Sequence, residues 1–234
     1  MFKNMLIKND SNIRYRIIIA GMLIAIGSII RILLHNNLPG APSIYITLNG
    51  ITQNMFIFDL FFVVAVISIV SGLLLGGYFT FIVPISTMII SDLFIGNNWI
   101  LLFTWSGFVM IGLIGYLLKS KKCVTIRKAP AILGASIGGV LLYDIWTNFG
   151  TWLGGFGYAY NLNGLALCYT MALPFMFWHL ISTTIAISII VLPIIYIKEH
   201  KLIIPDLVTQ PLERKISVAA FAILMIATIL SIIV

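Results

Sequence analysis

The chain has 234 residues, 61% of them hydrophobic and 9% charged, with a mean hydropathy of +1.11. This composition excludes a soluble domain, which needs far more polar surface, and reads as one polytopic helical membrane domain. The formal net charge of +7 is then the loop charge of a membrane protein, not a surface for nucleic acid.

The N-terminal stretch MFKNMLIKNDSNIRYR is basic, and the first apolar run after it has no small-residue cleavage site, so it is read as a retained helix. Apolar runs of about 17–25 residues are the unit of span counting. They lie at 17–34, 58–76, 80–95, 100–118, 130–147, 174–197 and 216–234. The third contains Pro84 and is expected to span with a kink. The run GLALCYTMAL, 164–173, reads either as a short outer helix or as a broken first part of the sixth span, ending at Pro174. The expected fold is all-α. It comprises a cytoplasmic basic N-terminus (1–16), a six-span bundle (17–197), a cytoplasmic linker (198–215) and a seventh C-terminal transmembrane helix (216–234).

Charge sets the orientation. Lys3, Lys8, Arg14 and Arg16 precede the first span. Lys119, Lys121, Lys122, Arg127 and Lys128 follow the fourth, and Lys198, Lys201, Arg214 and Lys215 follow the sixth. With seven spans, all 14 Lys and Arg residues except Arg31 fall on one side, which the positive-inside rule makes cytoplasmic. The N-terminus is expected inside and the C-terminus outside a cell membrane. Cys123 and Cys168 then lie on opposite faces and do not pair.

That orientation collects polar residues at the outer ends of the helices. Arg31 ends the first span, Asp59 begins the second, Asp92 ends the third and Asp144 ends the fifth. His35 lies four residues after Arg31, Asn148 one turn after Asp144, and His179 one turn into the sixth span. Trp99, Trp105, Trp146, Trp152 and Trp178 are all assigned to the outer half, whereas an aromatic belt would mark both interfaces. Intramembrane ionisable groups face cavities or pair with one another. Arg31, His35, Asp59, Asp92, Asp144, Asn148, Trp152 and His179 are therefore the candidate ligand-binding residues; caps and an internal Arg31–Asp pair are the structural alternative. One arginine against three aspartates leaves the mouth negative, favouring a ligand with cationic or donor-rich groups. The outer loop 35–57, rich in Pro, Gly, Asn and Thr, is long enough to cover a pocket.

Walker A, HExxH, GxSxG and CxxC motifs are absent, so neither ATP use within the chain nor the usual hydrolytic chemistry has motif support. No cofactor is expected. The Asp and His residues lack metal-ligand spacing, and no metal is assigned to them. Gly21/Ala25, Gly72/Gly76 and Gly134/Gly138 are small-xxx-small pairs that permit close helix approach, within the chain or to a partner.

The stretches RILLHNNLPGAPS, ISDLFIGNNW and NFGTWL with GLALCYTMALPF resemble the S components of energy-coupling factor (ECF) transporters, or a related family of S-component-like transport proteins, over roughly residues 17–197. The resemblance implies a six-helix bundle that captures a vitamin or related micronutrient from outside. It also implies a separate transmembrane coupling protein and ATPase subunits as partners. Ala20, Gly21 and Ala25 would fall on the coupling surface, without a clean AxxxA, and the seventh span departs from the usual six. The expected function is a membrane-embedded, non-enzymatic substrate-capture subunit. The alternatives are an accessory subunit of a larger membrane complex with no ligand, and an intramembrane enzyme built on the Asp/His set.

Overall fold

The structure, a computed structural model, describes residues 2–35, 37, 45–48, 50–54, 60–97, 100–200 and 209–233. Asp59, Asn98 and Trp99 lie outside the described residues.

α1 (Phe2–His35) is followed by a hairpin of β1 (Tyr45–Leu48) and β2 (Ile51–Asn54). α2 (Leu60–Val70) closes with a π-helical turn, Ser71–Leu75, and leads to α3 (Phe79–Ile95) and α4 (Leu101–Ser120). α5 (Ala129–Leu153) and α6 (Leu162–Ala186) come next. A second π-helical turn, Ile187–Val191, joins α6 to α7 (Leu192–Glu199), and α8 (Pro211–Ile233) completes the chain. Five helical stretches are long and apolar enough to cross a membrane: Asn12–His35, Leu101–Ser120, Ile126–Leu153, Leu162–Glu199 and Pro211–Ser231. Phe62–Leu75 and Phe79–Ile95 are shorter apolar helices. The chain is an all-α, multi-pass helical membrane bundle, and each of the seven apolar runs coincides with one of these stretches.

α2 is the centre. Its sequence, LFFVVAVISIV, is apolar all round, the pattern of a helix surrounded by protein, and Val63 through Val70 are buried without exception. α1, α3, α4 and α6 pack around it, α5 lies against α4 and α6, and α8 covers α3 and α4. At the crossing with α4, Gly72 admits the backbone of the neighbouring helix. A Cβ there would lie 2.0 Å from the Gly112 carbonyl oxygen, and one on Gly115 would lie 2.5 Å from that of Ile69. Gly112 and Gly115 thus complete the contact that Gly72 begins. Gly21, Gly134 and Gly138 have nothing within 4 Å of an added Cβ, so these three small residues make no close helix contact inside the chain.

The outer surfaces of α1 and α8 are apolar, with Ile18, Met22, Ile29, Leu33, Ile223, Ile226 and Leu230 exposed, as lipid-facing helices require.

Four features differ from the sequence expectation. The basic residues before the first span are themselves helical, since α1 runs unbroken from Phe2 to His35. The run 164–173 is neither separate nor broken: α6 passes through Pro174, and its start is capped by the Asn161 side chain, which accepts from the Gly164 N–H at 2.8 Å. The outer loop contains an antiparallel hairpin, with Tyr45 opposite Asn54 and Gly50 at φ +80°, packed on α6. The Asn49–Gly50 pair in the sequence is the hairpin signal that marks it.

Finally, Arg16 and Glu213, read as loop charges, are a buried pair joining α1 to α8. Arg16 is 1% exposed; its Nη1 and Nη2 donate to Glu213 Oε1 and Oε2 at 2.8 and 2.6 Å, and Nη2 also reaches the Gly76 carbonyl at 3.1 Å. Lys119 Nζ donates to the Leu74 and Leu75 carbonyls at 2.7 Å each. Two of the basic residues thus satisfy carbonyls that the end of α2 leaves open.

Candidate functional site

At the opposite end of the bundle from Arg16, five helices leave a cavity of about 170 Å³, lined by Arg31, Met88, Asn97, Thr104, Phe108, Tyr143 and His179. The lining comes from α1, α3 and the residues just after it, α4, α5 and α6, so no single element could supply it.

Arg31, in the last turns of α1, donates through Nη1 to the Ser91 hydroxyl and to Asp92 Oδ1. The other Asp92 oxygen accepts from the Asn97 side-chain amide and from Trp105 Nε1 at 2.9 Å. Asp92 is therefore a hub that ties the ends of α1 and α3 to α4, and its charge is neutralised by Arg31. Ser91 also donates to the Thr87 carbonyl at 2.7 Å.

Across the cavity stands a second pair. Asp144 on α5 is 1% exposed, and its Oδ1 lies 2.6 Å from His179 Nδ1. A carboxylate at this depth is costly unless partnered, and the imidazole is the partner. Tyr143 meets the His179 ring edge-on at 6.2 Å and packs on Phe108 at 4.7 Å between centroids. Gly107 makes room for that phenol: a Cβ there would lie 2.6 Å from Tyr143 Cδ2.

Of the residues expected at the site, Arg31 and His179 line the cavity, and Asp92 and Asp144 stand behind them as their partners. Asn148 does not join them, since its amide turns back to the Asp144 carbonyl at 2.8 Å. Trp152 is also elsewhere: its indole N–H donates to the Ala159 carbonyl at 3.0 Å, and its ring packs with Phe149 and Tyr160. His35, although spaced to share a face with Arg31, is exposed at the end of α1 and is not part of the lining. Asp59 lies outside the described residues. Ala20 is 4% exposed and belongs to the core, while Gly21 and Ala25 face outward.

Met88, Asn97, Thr104, Phe108 and Tyr143 were not among the candidates for the site. Met88 is four residues before Asp92 and Thr104 follows the Asn-rich turn, so depth along the helices was the available signal; which face they present was not. Among the described residues no three His, Cys, Asp or Glu side chains come together as metal ligands would. Beyond the spans, in the turn between α5 and α6, burial pushes the Tyr158 phenol above its ordinary range, with a smaller contribution from Cys168.

The arrangement is a polar, partly apolar-walled pocket held by the Arg31–Asp92 ion pair on one side and the Asp144–His179 hydrogen bond on the other. It can orient a small polar ligand by hydrogen bonds without any covalent chemistry. No curated protein and no solved structure matches the chain. Residues 11–205 match the "Family of unknown function (DUF6580)". The chain belongs to that family, whose matched region takes in every described residue lining the cavity and ends before α8.

Proposed function

We propose that this protein is a membrane-embedded substrate-capture subunit for uptake of a small water-soluble nutrient, with the ligand held between Arg31 and His179. The observation that carries the reading is the polar cavity at one end of an otherwise apolar bundle. Ionisable groups inside a membrane domain are costly, and they cluster where a substrate must be met. The proposed topology puts the N-terminus in the cytoplasm, which makes the cavity face outside.

The likeness to ECF S components supplies the wider setting: a separate coupling protein and ATPase subunits power release. The outward-facing Gly21 and Ala25 of α1 are compatible with a partner helix there, whereas the buried Ala20 is not part of such a surface.

Small-molecule mass spectrometry on gently purified protein, followed by binding titration of whatever is released, tests capture. Replacing His179 with glutamine is expected to weaken binding by about 1–3 kcal/mol, the cost of a lost buried hydrogen bond. Trp152→Ala should leave affinity unchanged, because its indole faces the turn after α5 and not the cavity. Recovery of membrane subunits only, with no small molecule, would instead favour an accessory role in a larger complex.

The topology has its own check. In a background with Cys123 and Cys168 replaced by serine, Asn148→Cys should react with an impermeant maleimide added outside intact cells. Labelling only from the cytoplasmic side would reverse the orientation.

A further inference from the structure

Building on the capture reading, we propose that the ligand is a small carboxylate, bound by the guanidinium of Arg31.

The two described carboxylates of the site, Asp92 and Asp144, do not border the cavity. Asp92 spends both oxygens on Arg31, Asn97 and Trp105, and neither Asp92 nor Asp144 contributes to the lining. Among the described residues, the polar groups that border the space are a guanidinium, an imidazole, an amide, a hydroxyl and a phenol. This reverses the expectation of a negative mouth: counting residues makes the site acidic, but of its charged groups Arg31 borders the space whereas Asp92 and Asp144 do not.

Arg31 is suited to such a ligand. Its hydrogen bonds to Ser91 and Asp92 both leave from Nη1. Among the described residues the Nε and Nη2 groups have no hydrogen-bond partner, and they form one edge of the guanidinium. That edge is the planar fork that a carboxylate matches with two parallel bonds. Arg31 has a side chain 13% exposed and Asp92 one 7% exposed, so the contact would form largely out of water, where it is strong.

Size and wall chemistry narrow the class. A cavity of about 170 Å³ is below the ~300–1,000 Å³ usual for drug-sized ligands, and it suits a molecule of few heavy atoms better than a vitamin. Met88 and Phe108 supply an apolar wall for a short carbon skeleton; the Thr104 hydroxyl, which donates to the Leu101 carbonyl at 2.8 Å, and the Tyr143 phenol offer oxygens that can accept from a polar substituent.

The test is isothermal titration of the full-length protein in lipid nanodiscs with four probes: lactate, inorganic phosphate, tetramethylammonium and glycerol. Lactate is expected to bind, and Arg31→Gln to lower its affinity roughly 10- to 100-fold, the range for a lost charged hydrogen bond. Because that variant strands Asp92 and could misfold, the charge-balanced Arg31→Gln/Asp92→Asn protein is measured beside it. With native helicity by circular dichroism, it should show the same loss, and Arg31→Lys should recover part of the affinity. Lactate affinity unchanged in the folded double variant would overturn the role of Arg31. Binding of phosphate without lactate would replace the carboxylate by an inorganic oxyanion and leave capture standing. Binding of tetramethylammonium or glycerol alone would overturn the anionic class and likewise leave capture standing. If no probe binds but mass spectrometry recovers a ligand that is not a carboxylate, only the ligand class falls. If neither method detects a ligand, the carboxylate and the capture reading fall together.

Discussion

Replacing Arg16 with methionine is expected to destabilise the protein by about 3–5 kcal/mol, the cost of leaving one member of a buried ion pair without the other. The guanidinium is buried, donates twice to Glu213, and lies 4.8 Å from the centre of the Phe79 ring and 5.7 Å from that of Tyr78. Methionine fills part of the space but strands a carboxylate between α8 and the tight turn at Gly76 and Gly77, where a Cβ on Gly77 would lie 2.2 Å from Glu213 Oε2. α8 should therefore loosen first, since the matched family region ends before it and few of its side chains are buried. Thermal unfolding in detergent, with proteolysis at the linker before α8 as a second readout, measures both effects. The double variant Arg16→Met/Glu213→Leu removes both charges and should recover most of the loss. If the single variant unfolds at the wild-type temperature, the pair does not hold α8.

The second large effect is expected at Gly72. Alanine there places a methyl group 2.0 Å from the Gly112 carbonyl oxygen and 2.6 Å from the Tyr116 backbone nitrogen. Neither atom is the tip of a flexible side chain, so α2 and α4 must separate. Overpacking of this kind costs about 1–3 kcal/mol, and the central position of α2 puts the change at the upper end. Gly21→Ala and Gly134→Ala are the controls. Both sites are open, and exchanging helical glycine for alanine there should be neutral or favourable by up to about 1 kcal/mol. Equal destabilisation at all three sites would show that glycine acts through something other than helix approach.

Much of the architecture is readable along the chain. Seven apolar runs, the kink-prone Pro84 and the collection of Arg31, Asp92, Asp144 and His179 at one level follow from hydropathy and from counting residues along helices. The hairpin is also written locally, in the Asn49–Gly50 pair between β-prone residues.

Which faces the residues take is different. Asn148 and Trp152 have the right depth but bond within their own helix or to the turn that follows it. Met88, Phe108 and Tyr143 are ordinary apolar-run residues until the folded chain turns them to the cavity.

Composition and the length of the apolar runs determined a multi-pass helical bundle, because transfer from water to lipid depends on each segment's own side chains. Only the tertiary structure decided that Arg16 pairs with Glu213, 197 positions away, and that Arg31 and His179, rather than Asp92 and Asp144, face the cavity. The physical reason is that lipid and protein core are both apolar, so a membrane helix carries little amphipathic phase to show which side faces its neighbours. Charges inside such a bundle are placed by the partners they find in space, and those partners come from other helices.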